Sequence, residues 1–286
     1  MILGLDIAKD IIMLEIPESK TISHQAGNEL INKKIKSVLP ASSPHKFAFF
    51  HGDPESYADL LIGRRILSTK GHGMFVDLYC DEDICISISE GTNIRYYSSH
   101  EPHPEKHQLL IEFEEGSFLA FSVAMYGGIW AFRGLFDNKY YQGSLNSISP
   151  LDDAFNEGYF NNILKSVTID LSLKALLATE QRIPGLGNGV LQDILFNAGM
   201  HPKRKKSTLS DFHKSELFHS IKVTLDKMTS LGGRDTEKDL YGLPGGYKTI
   251  LSKNSVTNPC PNCGDTIIKQ PYLGGAIYFC PTCQAL

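Results

Sequence analysis

Four cysteines near the C-terminus, Cys260-Pro-Asn-Cys263 and Cys280-Pro-Thr-Cys283, constrain this chain more than any other feature. Two Cys-x-x-Cys pairs with sixteen residues between them place four thiolates where a reverse turn and a short hairpin gather them around one tetrahedral Zn²⁺. The intervening residues read as that hairpin. Gly264-Asp265 turns out of the first pair, Thr266-Ile267-Ile268 runs as a strand, Pro271 to Gly275 bends, and Ala276 to Phe279 returns. Four unrelated structural thiols, or a disulfide in a secreted chain, are the readings the same spacing leaves open. Four thiolates close the coordination sphere, so such a metal is structural, and a ribbon of this kind says little about activity.

At 286 residues and 42% apolar content the chain has room for about two domains and a sizeable core. No stretch approaches the roughly 18 uninterrupted apolar residues of a membrane span. Met1 to Ile12 is too short and, with Asp6, Lys9 and Asp10, too charged for a signal peptide. Cys80 and Cys85 lie in an apolar, strand-like stretch and read as buried thiols, which fits a reduced, cytoplasmic setting. A net charge of −4 argues against indiscriminate binding to nucleic acid. The charge is unevenly spread, however: His201-Pro-Lys203-Arg204-Lys205-Lys206 is a dense basic run, whereas acids concentrate in the first half.

The pattern up to about Asn138 is mainly short strands. Met74 to Tyr79, Ile84 to Ile88, Asn93 to Tyr97, Gln108 to Phe113 and Phe118 to Val123 are β-rich runs separated by turn signals, a spacing that predicts a sandwich or barrel. A helix over about Glu18 to Lys36 precedes them. Gly143-Ser-Leu-Asn-Ser147 reads as a linker, after which Asn161 to Ser166, Leu171 to Glu180, Gly189 to Ala198 and Asp211 to Leu231 read as helices. Within this helical part, Ile183-Pro-Gly-Leu-Gly-Asn188 closes one helix, turns on two glycines and opens the next. Its glycines permit close backbone approach by another chain, and the amides of the new helix form an anion site beside the Asn188 side chain. A plain helical hairpin is the bland alternative.

Joined to the four-cysteine hairpin, this turn resembles the helix-two-turns-helix element of the formamidopyrimidine-DNA glycosylase / endonuclease VIII (Fpg/Nei) family, over Gln181-Arg-Ile-Pro-Gly-Leu-Gly-Asn-Gly189 and Phe196 to Pro202. The family's N-terminal signature is similar to Met13-Leu-Glu-Ile-Pro-Glu18, and its terminal zinc finger to Cys260 to Cys283. The resemblance covers nearly all of residues 13–285. It implies an α+β fold: an N-terminal extension over 1–12, a β-sandwich with one helix over 13–145, a helix-two-turns-helix DNA-binding domain over 150–240, and a zinc finger over 241–286. It also implies a monomer that binds damaged or abasic double-stranded DNA and excises oxidised bases, with AP-lyase activity.

Family enzymes flip the damaged base from the stack and attack C1′ of its sugar with an N-terminal amine. By this resemblance Leu14 stands at the nucleophile's position, Glu15 at that of the adjacent acid, and Glu18 at that of the glutamate opening the first helix. The DNA-contacting positions are His72, where the family has lysine (with Lys70 close enough to substitute), Asn188, Lys203, Arg204 and Lys248. Gly275 replaces the hairpin arginine that grips phosphate, while Glu90 and Met125-Tyr126 stand where residues fill the vacated stack. Tyr241 and Tyr247 flank a glycine-rich loop and are candidates for stacking on a base. Leu14 is an in-chain amide without nucleophilic power, so a non-catalytic binder of damaged or abasic DNA is the alternative function. A zinc-ribbon interaction protein with no DNA role is the third reading.

Overall fold

The computed structural model describes residues 13–286, and the expected extension over 1–12 lies outside them. Helix α1 (Ile16–Leu30) opens behind Glu15, which is in extended backbone, with Pro17 in the first turn, where its missing N–H costs nothing. The helix expected to reach Lys36 ends at Leu30, because Ile31 is already non-helical, Asn32 is left-handed (φ 70°) and Ile35 is drawn into β1 (Ile35–Leu39). Next come β2 (Ala48–Phe49), a short α2 (Tyr57–Leu61), β3 (Ile66–His72), β4 (Phe75–Cys80) and β5 (Ile84–Ile88). Strands β6 (Thr92–Tyr97), β7 (Leu109–Phe113), β8 (Phe118–Val123) and β9 (Gly127–Arg133) complete the run.

These strands form two sheets, ordered β1-β7-β8-β6 and β2-β9-β5-β4-β3. Alternate residues of each face the other sheet. Val76, Leu78, Ile86, Ile88, Ile129 and Ala131 meet Ile94, Leu109, Ile111, Leu119 and Phe121 in one core, the expected sandwich. The outer face of the five-stranded sheet carries Phe75, Cys85 and Phe132, covered by α3 (Lys139–Asn146). The stretch read as a linker is therefore mostly helix. The Asn138 side chain caps it by accepting from the Tyr140 and Tyr141 N–H groups, and Tyr141 and Ser144 dock it on Asp77 and His72, which outweighs the low helix propensity of Gly143. Cys80 and Cys85 are buried, and burial pushes the Cys80 thiol up to about 12.

The second half is helical: α4 (Glu157–Ser166), α5 (Leu173–Ala178), α6 (Asn188–Asn197) and α7 (Asp211–Ser230), the first two and α7 capped by Asn156, Ser172 and Ser210. Leu176, Leu177, Val190, Ile194, Leu217, Ile221 and Leu225 form their shared core. Strands β10 (Ile268–Tyr272) and β11 (Gly275–Phe279) pair across Leu273-Gly274, both at positive φ (48° and 72°), a tighter hairpin turn than expected. One element joins the two halves. Along α1, Ile22, Ala26 and Leu30 belong to the sandwich core, whereas Ile16 belongs to the helical core. The Ile16 N–H donates to Gly185 O (3.0 Å), so the start of α1 is seated on the glycine turn before α6.

Candidate active site and nucleic-acid interface

At that seam three carboxylates converge on one guanidinium. Glu15 is 3% exposed; its Oε1 accepts from the Gly189 N–H (2.9 Å) and its Oε2 from the Val190 N–H (2.7 Å). The anion at the α6 N-terminus is thus the protein's own, held by the free amides and the helix dipole. Arg234, 2% exposed, donates from Nε and Nη2 to the two oxygens of Glu18 (3.0 and 2.8 Å), from Nη2 also to Met13 O (3.0 Å), and lies 3.4 Å from Glu15. Glu237 stands 4.0 Å from the same guanidinium and accepts from the Met13 N–H (2.9 Å).

The glycines of the turn serve this cluster rather than an approaching chain. A Cβ on Gly187 would lie 2.4 Å from Glu15 Oε1, and one on Gly189 only 1.5 Å from Arg234 Nη1. Both positions lack room for any side chain while the carboxylate and guanidinium hold their places.

Burial pushes the Glu15 carboxyl above its ordinary range, and Glu18 adds to the rise; Arg234 and the two amides pull the other way. Burial pushes Glu237 up to about 7, with Arg234 opposing. Near neutral pH the cluster can therefore hold a proton beside an ionised carboxylate, as acid–base work requires. A carboxyl raised in the fold contributes stability that is complete below about 4.5 and lost as the pH climbs through about 7. Compared with Glu237→Gln, the native chain is expected to lose up to about 1.4 kcal/mol per pH unit between about pH 5 and 7, then to hold level. Urea titrations of both proteins across that window measure this, and a constant difference would remove Glu237 from the titrating groups.

A cavity of ≈ 300 Å³ opens onto the cluster, lined by Met13, Glu15, Asn188, Arg234, Glu237 and Lys253 among others. Leu14 does not line it. Its side chain is fully buried in the sandwich core, which fixes the segment leading to Glu15. Arg234, Glu237 and Lys253 escaped sequence reading. The acid–base alternation of Arg234-Asp-Thr-Glu-Lys238 just after the helix-ending Gly232-Gly233 was the available signal.

The expected DNA-contacting residues divide into two groups. Asn188 borders the cavity, with its Nδ2 donating to Ala276 O (3.1 Å) and its Oδ1 accepting from Gln192 Nε2 (3.0 Å). Lys248 is exposed, its side chain 83% accessible, with Asp235 at 3.7 Å. The others make contacts within the chain, His72 buried and Lys203 and Arg204 half-buried. His72 is 6% exposed, its Nδ1 3.0 Å from Ser144 Oγ and its Nε2 3.0 Å from Asp77 Oδ2, so neither ring nitrogen is spare. Exposed Lys70 borders a neighbouring cavity of ≈ 170 Å³ with Lys20. Lys203 donates to Gln270 Oε1 (2.9 Å) and lies over the Tyr272 ring (5.3 Å); Arg204 donates to Thr208 O (3.3 Å); Lys206 binds carbonyls at the end of α4. The basic run thus fastens loops and hairpin to the helices.

Two further expectations meet packing instead. Tyr247 is 4% exposed within the helical core, and the Tyr241 hydroxyl donates to Glu29 (2.8 Å) on α1, so neither ring faces the cavity. Met125 and Tyr126 do stand exposed at the tip between β8 and β9, the Tyr126 hydroxyl 3.4 Å from Glu90.

The four hairpin thiols are positioned to bind a metal ion, with their sulfurs all within 4.8 Å of one another. A tetrahedron of sulfurs at about 2.3 Å from zinc spaces them about 3.8 Å apart. Cys260 Sγ lies 3.7 Å from Cys283 Sγ, and Cys263 Sγ lies 3.4 Å from Cys280 Sγ, so the donor set fits. Lys174, buried on α5 and missed in the sequence, ties the hairpin down through Tyr272 O (2.7 Å).

No family model matches this chain. A formamidopyrimidine-DNA glycosylase from Oceanobacillus iheyensis is 30% identical over 286 residues, spanning 95% of this chain and 98% of the relative. One from Brevibacillus brevis is 26% identical over 282 residues, spanning 95% and 99%. Among solved structures, Lactococcus lactis Fpg in complex with DNA containing an abasic site superimposes with a TM-score of 0.81 at 22% identity, covering 95% of this chain and all of that one. MutM (Fpg) from Thermus thermophilus gives 0.77 at 24% identity, covering 94% and 98%. With end-to-end likeness at 30% identity added to the sandwich, the glycine turn and the four-thiol hairpin, the chain belongs to the formamidopyrimidine-DNA glycosylase family.

Proposed function

We propose that this chain is a base-excision DNA glycosylase that binds damaged double-stranded DNA in the groove between sandwich and helices, removes oxidised bases and cleaves the resulting abasic site. The observation that carries the reading is Glu15: a buried carboxyl, raised above its ordinary range, held by two α6 amides and Arg234 at the wall of a ≈ 300 Å³ cavity. In that place it manages the proton for attack at C1′, by activating a water or by relaying a proton to the leaving base. Glu18 keeps Arg234 in register. Asn188 at the cavity rim, the exposed Lys248 and Lys70 and the half-buried Lys20 would meet phosphates, with Met125 or Tyr126 entering the vacated stack. One structural Zn²⁺ at Cys260, Cys263, Cys280 and Cys283 would supply cross-linking of the hairpin and no chemistry at the sugar. No helix among the described residues is long and apolar enough to cross a membrane; action as a monomer in the cytoplasm is part of this proposal.

Replacing Glu15 by Gln keeps the side chain's size and removes the titrating group, losing one of its two acceptors for the α6 amides. The variant is expected to bind lesion duplex within about threefold of the native chain and to excise at least about 100-fold more slowly. Single-turnover excision on duplexes with one oxidised base, beside anisotropy titrations, measures both. Unchanged excision would remove Glu15 from the chemistry. A second reading, a lesion binder without catalysis, is favoured by one observation: Leu14 is buried and the Met13 N–H is tied to Glu237, so no amine is offered where the family nucleophile stands. Tight binding without excision by the native chain would establish that reading.

A further inference from the structure

Among the described residues that line the cavity at Glu15, one carries a primary amine, and it is Lys253. The other polar groups there are carboxyls, a guanidinium, side-chain amides and hydroxyls, and only an amine among these classes condenses with a sugar aldehyde. Its backbone is fixed from both sides. Upstream, Asp193 accepts from the Ile250 and Leu251 N–H groups (2.9 and 2.8 Å), and Leu251 is buried against Cys260 and Cys280. Around it, the Ser255 N–H donates to Ser252 O (3.1 Å) and the Ser252 N–H to Ser255 Oγ (2.8 Å), a closed turn with Lys253 at its outer edge. The side chain itself is exposed and makes no hydrogen bond or ion pair among the described residues. A long amine on a rigid turn, facing a cavity walled by two acids, is arranged as a nucleophile rather than as a structural cation.

We propose that Lys253 is the residue with which this chain forms a Schiff base at an abasic site, an assignment that rests on the lesion-DNA reading of the cavity. The neutral amine is the form that attacks. The Nζ lone pair adds to the C1′ aldehyde of the ring-opened sugar, and the carbonyl π pair moves to oxygen, which takes a proton. A proton from the acid form of Glu15 or Glu237 lets the carbinolamine hydroxyl leave as water, and a protonated imine remains. Ionised Glu15 or Glu237 then removes a C2′ proton, and the 3′ phosphate departs with its bonding pair. Every proton ends on water or a carboxyl, and no oxidant or reductant takes part. In this scheme the in-chain amide at Leu14 is no obstacle, and residues ahead of Met13 need not be removed.

The test is borohydride trapping of the full 286-residue chain on a duplex with one abasic site, followed by mass mapping of the linked peptide. The expected adduct lies on the peptide containing Lys253. Lys253→Arg, which keeps the charge, is expected to cut trapping at least about 100-fold while abasic-duplex affinity stays within about threefold. An adduct on another residue, undiminished trapping by Lys253→Arg, or excision without any adduct would overturn the assignment while leaving the glycosylase reading in place. Failure of the native chain to bind the abasic duplex would overturn both.

Discussion

Arg234→Met is expected to destabilise the folded chain by about 3–5 kcal/mol and to abolish excision. The guanidinium is 2% exposed and grips Glu18 through two donors, with Glu15 and the Met13 carbonyl beside it. A thioether of similar length fills the space but leaves buried carboxylates uncompensated. They then protonate, so the loss is greater at pH 8 than at pH 6, because there the fold must strip or bury more charge. Urea titrations at both pH values give the magnitude and its sign. Removing both partners is far less costly than removing one, so Arg234→Met combined with Glu18→Met is expected to recover part of the loss. A single variant losing less than about 1 kcal/mol, with no pH dependence, would show that the cluster is not the electrostatic centre of the seam.

Stripping the metal, or replacing Cys280 by Ser, is expected to unfold the C-terminal hairpin and to weaken lesion-duplex binding at least about 100-fold, since structural zinc sites supply folding free energy of about 10–16 kcal/mol in isolated fingers. The hairpin has little else. Its small core is Ile267 and two cysteines against Phe196 and Leu251, and most residues of β10 are only half-buried. What it contributes to the groove depends on its being folded. Asn188 Nδ2 donates to Ala276 O, Lys174 Nζ to Tyr272 O, and the Tyr278 N–H to Gln192 Oε1, three ties that hold the cavity's far wall on α5 and α6. Hydrogen exchange with and without chelator is expected to show lost protection over residues 260–284 while the sandwich strands stay protected. Unchanged exchange and unchanged affinity would leave the four thiols as ordinary core residues.

Local features carried the sequence reading far. Two Cys-x-x-Cys pairs sixteen residues apart suffice for a tetrahedral site, because ligand spacing and a hairpin depend on neighbours along the chain. Strands such as Ile84–Ile88 and Phe118–Val123 were legible because their apolar residues are β-branched or aromatic and flanked by turns. Errors arose where tertiary contacts overrode local preference. The α3 segment resembles a linker until Tyr141 and Ser144 meet Asp77 and His72, and Ile35 leaves the α1 pattern to pair with Phe113.

The sequence by itself determined most element types, the thiolate hairpin and the glycine turn, each set by residues close to one another along the chain. Only the tertiary structure decided what those parts face. It turned the α6 amides toward Glu15, buried His72, engaged Lys203 and Arg204 with other parts of the chain, and brought Arg234 to Glu18 across 216 positions. Burying a guanidinium needs several distant segments to supply acceptors at once, and no local pattern encodes that coincidence.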